Sequence, residues 1–456
     1  MKVVVTGGAG QLGTAVLERL VADRKVKKIV SLDLKPPFVP SPRIDFRIAD
    51  LRDPGLERHL EGADVLVHLA FIVAKRSSAG TMRAVNVEGS RRIFEAAARH
   101  GVSKIVYTSS VAAYGVAQPL PEPVLETTER RRSPLLTYAD NKWEVEDFLD
   151  HFEKENASIR VVRLRPGILL GRRIAHVSEA FLSRRVLPIA GPGRAPIVWD
   201  EDVADAVMLG LRKDVRGAFN LVAEGALTGE ELARLAGFRA WHLPRGAVSA
   251  ATKVGSAMAK ILGERRFDTG WLAAAEHDVV VSGQKALAEL EWKPRYPTAA
   301  DVAIAFGKNA PRGTDRRIGL FLGMVGRLSK RARATGEMPR EAQNVNLVVH
   351  LDVTGGTGGD FTLKLEDGVL SVTPGIPRPP DSTVTLSAET FLELLSGKTE
   401  ASTASMVGKI RVRGEPLAGL VIGGIVSGFR RATEARGAEG RVARGLSAWF
   451  SRGAAS

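Results

Sequence analysis

The chain has 456 residues, 44% of them hydrophobic, no cysteine and a formal net charge of +14. It is too long for one ordinary domain and apolar enough for more than one packed core. The lack of cysteine excludes disulfides, thiolate metal sites and cysteine nucleophiles, and the eight histidines are scattered without ligand spacing, so no metal is expected.

In chain order, an apolar run Val3-Val4-Val5 leads into Thr6-Gly7-Gly8-Ala9-Gly10-Gln11-Leu12-Gly13, then a helical pattern, then a second apolar run, Lys28 to Asp33. This reads as strand, tight glycine turn, helix and strand. Gly7 turns out of the strand, Gly10 lets backbone approach a pyrophosphate, and Gly13 lets the helix lie near the sheet. The turn residues Gly7, Gly10, Gln11, Leu12 and Gly13 would then place phosphates on a positive helix N-terminus. Asp33 stands twenty residues past Gly13, where a carboxylate can accept hydrogen bonds from a ribose diol. A free 2′-hydroxyl is favoured over a 2′-phosphate there, so the expected cofactor is NAD.

A third strand, Asp45 to Leu51, ends in an acid, Asp50, that can meet the adenine side of the cofactor. The strand Asp64 to Ala70 has small residues at its carboxyl end, and Leu69 and Ala70 are expected close beneath the dinucleotide. His68 reads as a satisfied core histidine. A helix from Arg83 to His100 feeds the strand Lys104 to Ser110, and strands alternating with helices predict a doubly wound parallel sheet. After a loop over Val124 to Pro134, a helix carries Tyr138 and Lys142 four residues apart on one face. The strand Ile159 to Leu164 and a helix Val203 to Arg212 follow, and looser segments up to Pro294 suggest a small substrate lobe. Residues 245–263 read as a helix, either a lid over an apolar ligand or ordinary core.

The excess charge is concentrated: residues 308–340 hold nine basic residues against two acidic ones. With Ile318, Leu320, Phe321, Leu322, Met324, Val325 and Leu328, residues 312–334 have the makings of an interfacial amphipathic helix, or of a linker helix docked on a domain. From Asn344 the pattern changes to alternating strands with an Asp367-Gly368 hairpin. Thr354 to Gly359 imitates the first glycine turn but leads into a strand. A helix Ala388 to Ser396, a strand Lys409 to Gly414 and an apolar helix Pro416 to Phe429 complete an α+β unit, and a basic tail follows. No apolar run reaches the roughly 18 residues of a membrane span. Residues 1–5 read as a core strand and not a signal peptide, so a cytoplasmic protein is expected, with peripheral contact to an anionic membrane as the further expectation.

Ser110, Tyr138 and Lys142 are the chemical constellation. Hydride transfer at a carbinol carbon needs a base for the hydroxyl proton and a donor for the oxygen. A tyrosine, ordinarily with a pKa of about 10, serves as base if a neighbouring Lys142 and a positive nicotinamide favour its phenolate.

Over residues 1–305 the chain resembles the extended short-chain dehydrogenase/reductase family, the NAD-dependent epimerase/dehydratase group. The matching motifs are Thr6 to Gly13, Asp50-Leu51, His68-Leu69-Ala70, Asn86-Val87-Glu88-Gly89-Ser90, Ser109-Ser110 with Tyr114-Gly115, Tyr138 with Lys142, Arg165-Pro166-Gly167 and Asp202-Val203-Ala204. The resemblance implies a Rossmann fold, with Tyr138 as general acid/base, Lys142 as its activator and ribose ligand, Ser110 as substrate-oxygen donor and Asn86 among the cofactor residues. Family dehydratases carry Asp-Glu after the active hydroxyl residue, where this chain has Val111-Ala112. Members that enolise use a cysteine, which is absent. Simple hydride transfer, or epimerisation through a flipped keto intermediate, remains.

Residues 342–435 resemble the sterol carrier protein type 2 family, through Phe361-Thr362-Leu363 with Asp367-Gly368, Ala388 to Phe391 with Leu394 to Lys398, and Gly408 to Gly414. That resemblance implies an apolar tunnel. The expected organisation is a dehydrogenase/reductase domain (1–307), a basic amphipathic linker (308–341), a lipid-carrier domain (342–435) and a basic tail (436–456). The resulting expectation is an NAD-dependent oxidoreductase acting on a hydroxyl or keto group of an apolar, lipid-like substrate. A sugar-nucleotide epimerase and a non-catalytic NAD-sensing lipid-binding module are the alternatives. No nucleic-acid partner is expected, and a homodimer is left open.

Overall fold

The computed structural model describes residues 1–37, 39, 41–73, 79–171, 185–242, 270–309, 316–336, 345–354, 359–374, 380–396, 399–415 and 418. The helix read at 245–263, the 354–359 turn beyond its ends, most of the helix from Pro416 and the basic tail lie outside the described residues. The chain divides into two units, the first Met1–Val177 with Val186–Asn309 and the second Ser178–Arg185 with Ala310–Ser456.

In the first unit, β1 (Lys2–Thr6), β2 (Lys28–Asp33), β3 (Ile44–Ile48), β4 (Val65–His68), β5 (Lys104–Thr108), β6 (Arg160–Pro166) and β7 (Gly217–Leu221) form one sheet in the order β7-β6-β5-β4-β1-β2-β3. Every pairing is parallel. Helices cover both faces, which is why Val3, Val4 and Val5 are all fully buried in place of an in–out alternation. The strand order reverses between β1 and β4, so a crevice opens there at the carboxyl ends. Helix α1 (Gln11–Ala22) starts at that crevice, α2 (Gly89–Arg99) follows β4, and α3 (Thr137–Glu155) carries Tyr138 in its first turn. The expected helix over 83–100 is interrupted: Ala84–Glu88 is a π-helical turn containing Asn86. Short strand pairs, Ile168–Leu170 with Ile197–Trp199 and Val186–Ile189 with Arg239–His242, make up the smaller lobe.

In the second unit, a helix α4 (Arg316–Thr335) precedes β8 (Leu347–Thr354), β9 (Gly359–Glu366), β10 (Val369–Pro374) and β11 (Ser382–Ser387). A helix α5 (Ala388–Ser396) and β12 (Ile410–Gly414) follow. The sheet order is β10-β9-β8-β11-β12, with β8 and β11 parallel and the rest antiparallel. Leu347, Val349, Leu351 and Val353 are buried at a period of two, giving the sheet one apolar face.

Helix α4 corrects the reading of 312–334 as an interfacial segment. Ile318, Phe321, Leu322, Met324 and Val325 are buried in the core of this unit, and Phe321 meets Phe391 of α5 edge-on at 5.9 Å. Gly326 makes the close approach possible, since a Cβ there would stand 2.8 Å from the Leu370 carbonyl oxygen. Ser329 next to it accepts a hydrogen bond from the Leu370 N–H at 2.9 Å. The spacing that suits a bilayer suits a sheet equally, and here the sheet takes it. Among the described residues no helix is long and apolar enough to cross a membrane.

Candidate active site

The glycine turn is built by close approach. Gly7 has φ +77°, and a Cβ on it would lie 2.6 Å from the Ala70 nitrogen; one on Gly13 would lie 2.1 Å from the Gly7 carbonyl oxygen. Side chains at either position would push the turn off β4 or α1 off the turn. Helix α1 has Gly10 at its N-cap, without a side-chain cap and without an acid in its first turn. Its positive end is therefore suited to an anionic group. The Gln11 side chain is committed elsewhere, donating to Asp200 at 2.9 Å, and Leu12 is buried; from these residues only backbone can face a phosphate.

Across the crevice, the Asp33 carboxylate accepts from the Ala9 N–H at 3.0 Å and the Lys35 N–H at 3.3 Å. It remains part-exposed at the end of β2, as a carboxylate that receives a diol must. Asp50 is held by Arg52, with contacts of 2.6 to 3.0 Å, and that pairing keeps its carboxyl below the usual range. Leu51 is buried, packed where a Cβ on Gly89 would come within 2.7 Å of it. Leu69 and Ala70 leave β4 directly over the turn, tied to Thr6 by hydrogen bonds of 3.1 and 3.3 Å.

Asn86 is fully buried. Its Oδ1 accepts from the Ile72 N–H at 2.7 Å and its Nδ2 donates to the Ile72 carbonyl at 3.0 Å. It anchors the loop after β4 with one amide N–H and one carbonyl lone pair. His68 is buried between Thr6 Oγ1 (2.7 Å) and Ser90 Oγ (2.9 Å). Burial pushes its pKa down to about 3, which makes it a neutral core residue.

Ser110, Tyr138 and Lys142 come together at the carboxyl end of β5. Ser110 follows the strand, with its Oγ accepting from the Ala112 N–H at 3.1 Å. Lys142 is buried, and its Nζ donates to the Thr108 carbonyl at 2.8 Å and to the Tyr107 hydroxyl at 3.2 Å. Burial holds the ammonium well below its ordinary pKa, opposed by the Glu146 charge. The Tyr138 phenol departs from expectation in the protein alone: burial pushes it up to about 12, against the lowering influence of a hydrogen bond with Ser110. Lys142 does not reverse this, because its Nζ lies 5.9 Å from the Tyr138 ring centroid and is engaged elsewhere.

Several site residues carry no signal in the spacing. Phe71 stands edge-on to Tyr138 at 5.6 Å, with its ring centroid 3.5 Å from Lys142 Nζ. Trp271 covers Tyr138 from the smaller lobe, also at 5.6 Å. Behind them Glu146, one turn past Lys142, is fully buried and paired with Arg165 and Arg163. Arg165 in turn donates to Tyr114 Oη at 2.7 Å, and Tyr114 to Asn220 at 2.8 Å. Glu146 was visible in principle as the i+4 neighbour of Lys142 on the same helical face.

Residues 3–221 match the NAD dependent epimerase/dehydratase family and residues 326–426 the SCP-2 sterol transfer family. An uncharacterized UDP-glucose epimerase, YtcB, of Bacillus subtilis (strain 168) is 32% identical over 216 residues, which is 42% of this chain and 66% of that protein. The N-acetyl-alpha-D-glucosaminyl-diphospho-ditrans,octacis-undecaprenol 4-epimerase of Escherichia coli O157:H7 is 31% identical over 174 residues, 38% of this chain and 50% of that protein. The chain therefore spans about half to two thirds of the length of these relatives. The fold of the first unit is similar to that of the UDP-glucose 4-epimerase of Thermotoga maritima in complex with UDP-glucose. The TM-score is 0.54 at 20% identity, covering 68% of this chain and 98% of that one. The chain thus matches the NAD dependent epimerase/dehydratase family over its first part and the SCP-2 sterol transfer family over its second.

Proposed function

We propose that the first unit is an NAD-dependent epimerase or oxidoreductase of the extended short-chain dehydrogenase family, and that a nucleotide sugar is its substrate. The observation that carries this is the convergence of Ser110, Tyr138 and Lys142 beside the crevice where the strand order reverses. In this reading the backbone of Gly7 to Gly13 holds the pyrophosphate and Asp33 the adenosine ribose. NAD, when bound, accepts a hydride from the substrate carbinol and can return it. Tyr138 takes the hydroxyl proton as the carbon is oxidised and gives it back when the ketone is reduced. Ser110 donates to the same oxygen throughout. With Lys142 Nζ engaged by Thr108 and Tyr107, it is the hydrogen bond with Ser110 that favours the Tyr138 phenolate in the protein alone, and positive charge brought by a bound cofactor would lower the phenol further. Val111-Ala112 after Ser110 and the absence of cysteine favour hydride return over elimination or enolisation.

The names of the relatives favour the sugar nucleotide over the lipid-like substrate. One observation keeps the hydroxy-lipid reading as second: Tyr138 is walled by Phe71 and Trp271 within an apolar cluster, and the SCP-2 domain would supply a lipid carrier. The test incubates the full chain and NAD with UDP-glucose, with UDP-N-acetylglucosamine and with a hydroxysteroid. A 4-epimer in the chromatogram is expected. Reduced nicotinamide formed only with the steroid would move the assignment to the second reading, and no turnover with any of them, despite NAD binding, would favour an NAD-sensing lipid-binding module.

A further inference from the structure

An ammonium has three donors. Lys142 directs hydrogen bonds to the Thr108 carbonyl at 2.8 Å and the Tyr107 hydroxyl at 3.2 Å, and a third side of Nζ faces the Phe71 ring, 3.5 Å from its centroid. The loop that bears Phe71 is pinned on both sides of it. Ala70 N–H donates to Thr6 Oγ1 at 3.3 Å, and Ile72 is clamped through both its backbone groups by Asn86. The backbone is therefore fixed, while the ring itself is only part-buried, so movement here means rotation of one side chain. The same loop passes over the glycine turn, where Ala70 lies 2.6 Å from the place of a Gly7 Cβ. A dinucleotide running from Asp33 past that turn to Tyr138 meets Phe71 before it meets Lys142.

From this we infer that Phe71 caps the Lys142 ammonium in the cofactor-free protein and competes with NAD for it, so that its ring must rotate away before ribose hydroxyls can reach Nζ. The inference rests on the proposed NAD reading, in which Lys142 is a ribose ligand. It makes Phe71 a positioning residue that sets cofactor affinity and takes no part in the chemistry.

The experiment is calorimetric titration of the full chain with NAD. Phe71→Ala is expected to bind NAD about tenfold more tightly than the unmodified protein, the loss of one desolvated cation–ring contact. Phe71→Tyr, which keeps the ring face, should stay within about twofold. In a Lys142→Met background Phe71→Ala should change nothing, because there is no ammonium left to compete for. If Phe71→Ala melts before it can be titrated, Phe71→Leu fills the space without a ring face and should still tighten binding. Equal or weaker binding by the folded Phe71 variants overturns the inference and makes the ring a wall of the occupied site. Binding by neither the unmodified protein nor the variants overturns the NAD reading, and the inference with it.

Discussion

Arg165 and Glu146 face each other as a two-pronged pair, Nε to Oε1 at 2.8 Å and Nη2 to Oε2 at 2.7 Å, and the carboxylate is fully buried. Arg163 adds a contact at 3.2 Å and Arg130 one at 3.7 Å. The cationic neighbours hold the Glu146 carboxyl well below its ordinary range despite burial. Because Arg165 also donates to Tyr114, four residues past Ser110, the pair ties the serine turn to the helix bearing Tyr138 and Lys142. Removing one partner strands a buried charge, so Arg165→Met should cost about 3–5 kcal/mol in urea unfolding of the first unit. Tyr114→Phe, which removes one hydroxyl and leaves the ion pair, should cost about 1–2 kcal/mol.

His68 gives the pH dependence a sign. Its pKa is ordinarily 6.5 and falls to about 3 in the fold, so below 6.5 the unfolded chain binds a proton that the folded one refuses. Stability from this group is intact above about pH 6.5 and declines by about 1.4 kcal/mol per pH unit on the way down toward the folded pKa. Unfolding midpoints measured near pH 7.5 and pH 5.5 should differ more for the unmodified protein than for His68→Gln. Parallel slopes would mean that His68 takes up its proton without unfolding.

Tyr138→Phe keeps the ring, and with it the contacts to Phe71 and Trp271, and removes only the oxygen that carries the proton. NAD affinity should be unchanged while kcat on the operative substrate falls by about 100-fold or more. Full turnover by this variant would remove Tyr138 from the chemistry.

Much of this site is written in local spacing. The glycine turn, Asp33 at its fixed distance and the Tyr138–Lys142 pair are each set by one strand or one helix, so their geometry follows from the chain's own periodicity. Phe71 and Trp271 reach Tyr138 from a loop and from a distant short helix, and no spacing encodes that meeting. Asn86 sits where its motif predicts, but the backbone it binds, Ile72, depends on how the π-turn faces the loop after β4. Helix α4 was ambiguous for a different reason: residues 318, 321, 322 and 325 define one apolar stripe whichever surface receives it.

Cofactor choice turns on Asp33. With the carboxylate already accepting from Ala9 and Lys35 backbone, a 2′-phosphate would add a second negative charge beside it, whereas a diol would donate to it. NAD should bind more tightly than NADP, and Asp33→Ser should narrow the gap by weakening NAD and relieving the repulsion. Parallel titrations check this, and tighter NADP binding by the unmodified protein would overturn the role given to Asp33.

The burial of the apolar stripe of α4 changes what a membrane experiment can test. Removing residues 312–334 would strip Phe321, Leu322 and Val325 from the core of the second unit, and Phe321→Ala alone should cost about 3–5 kcal/mol. Lost vesicle binding after such a deletion would report unfolding. The outward face is what remains for an anionic surface. Arg327, Lys330 and Arg333 are exposed along the last turns, with attraction of about 1 kcal/mol per basic residue near a charged bilayer. The full chain should therefore sediment with anionic vesicles at low salt, less at high salt, and hardly with zwitterionic ones. Reversing those three charges to Glu leaves the stripe in place, so the thermal melt should be nearly unchanged while sedimentation falls at least tenfold, about the effect of losing 1.4 kcal/mol or more. If the triple variant still binds as well, the contact lies elsewhere, and the basic tail around Trp449 and Phe450 becomes the segment to test.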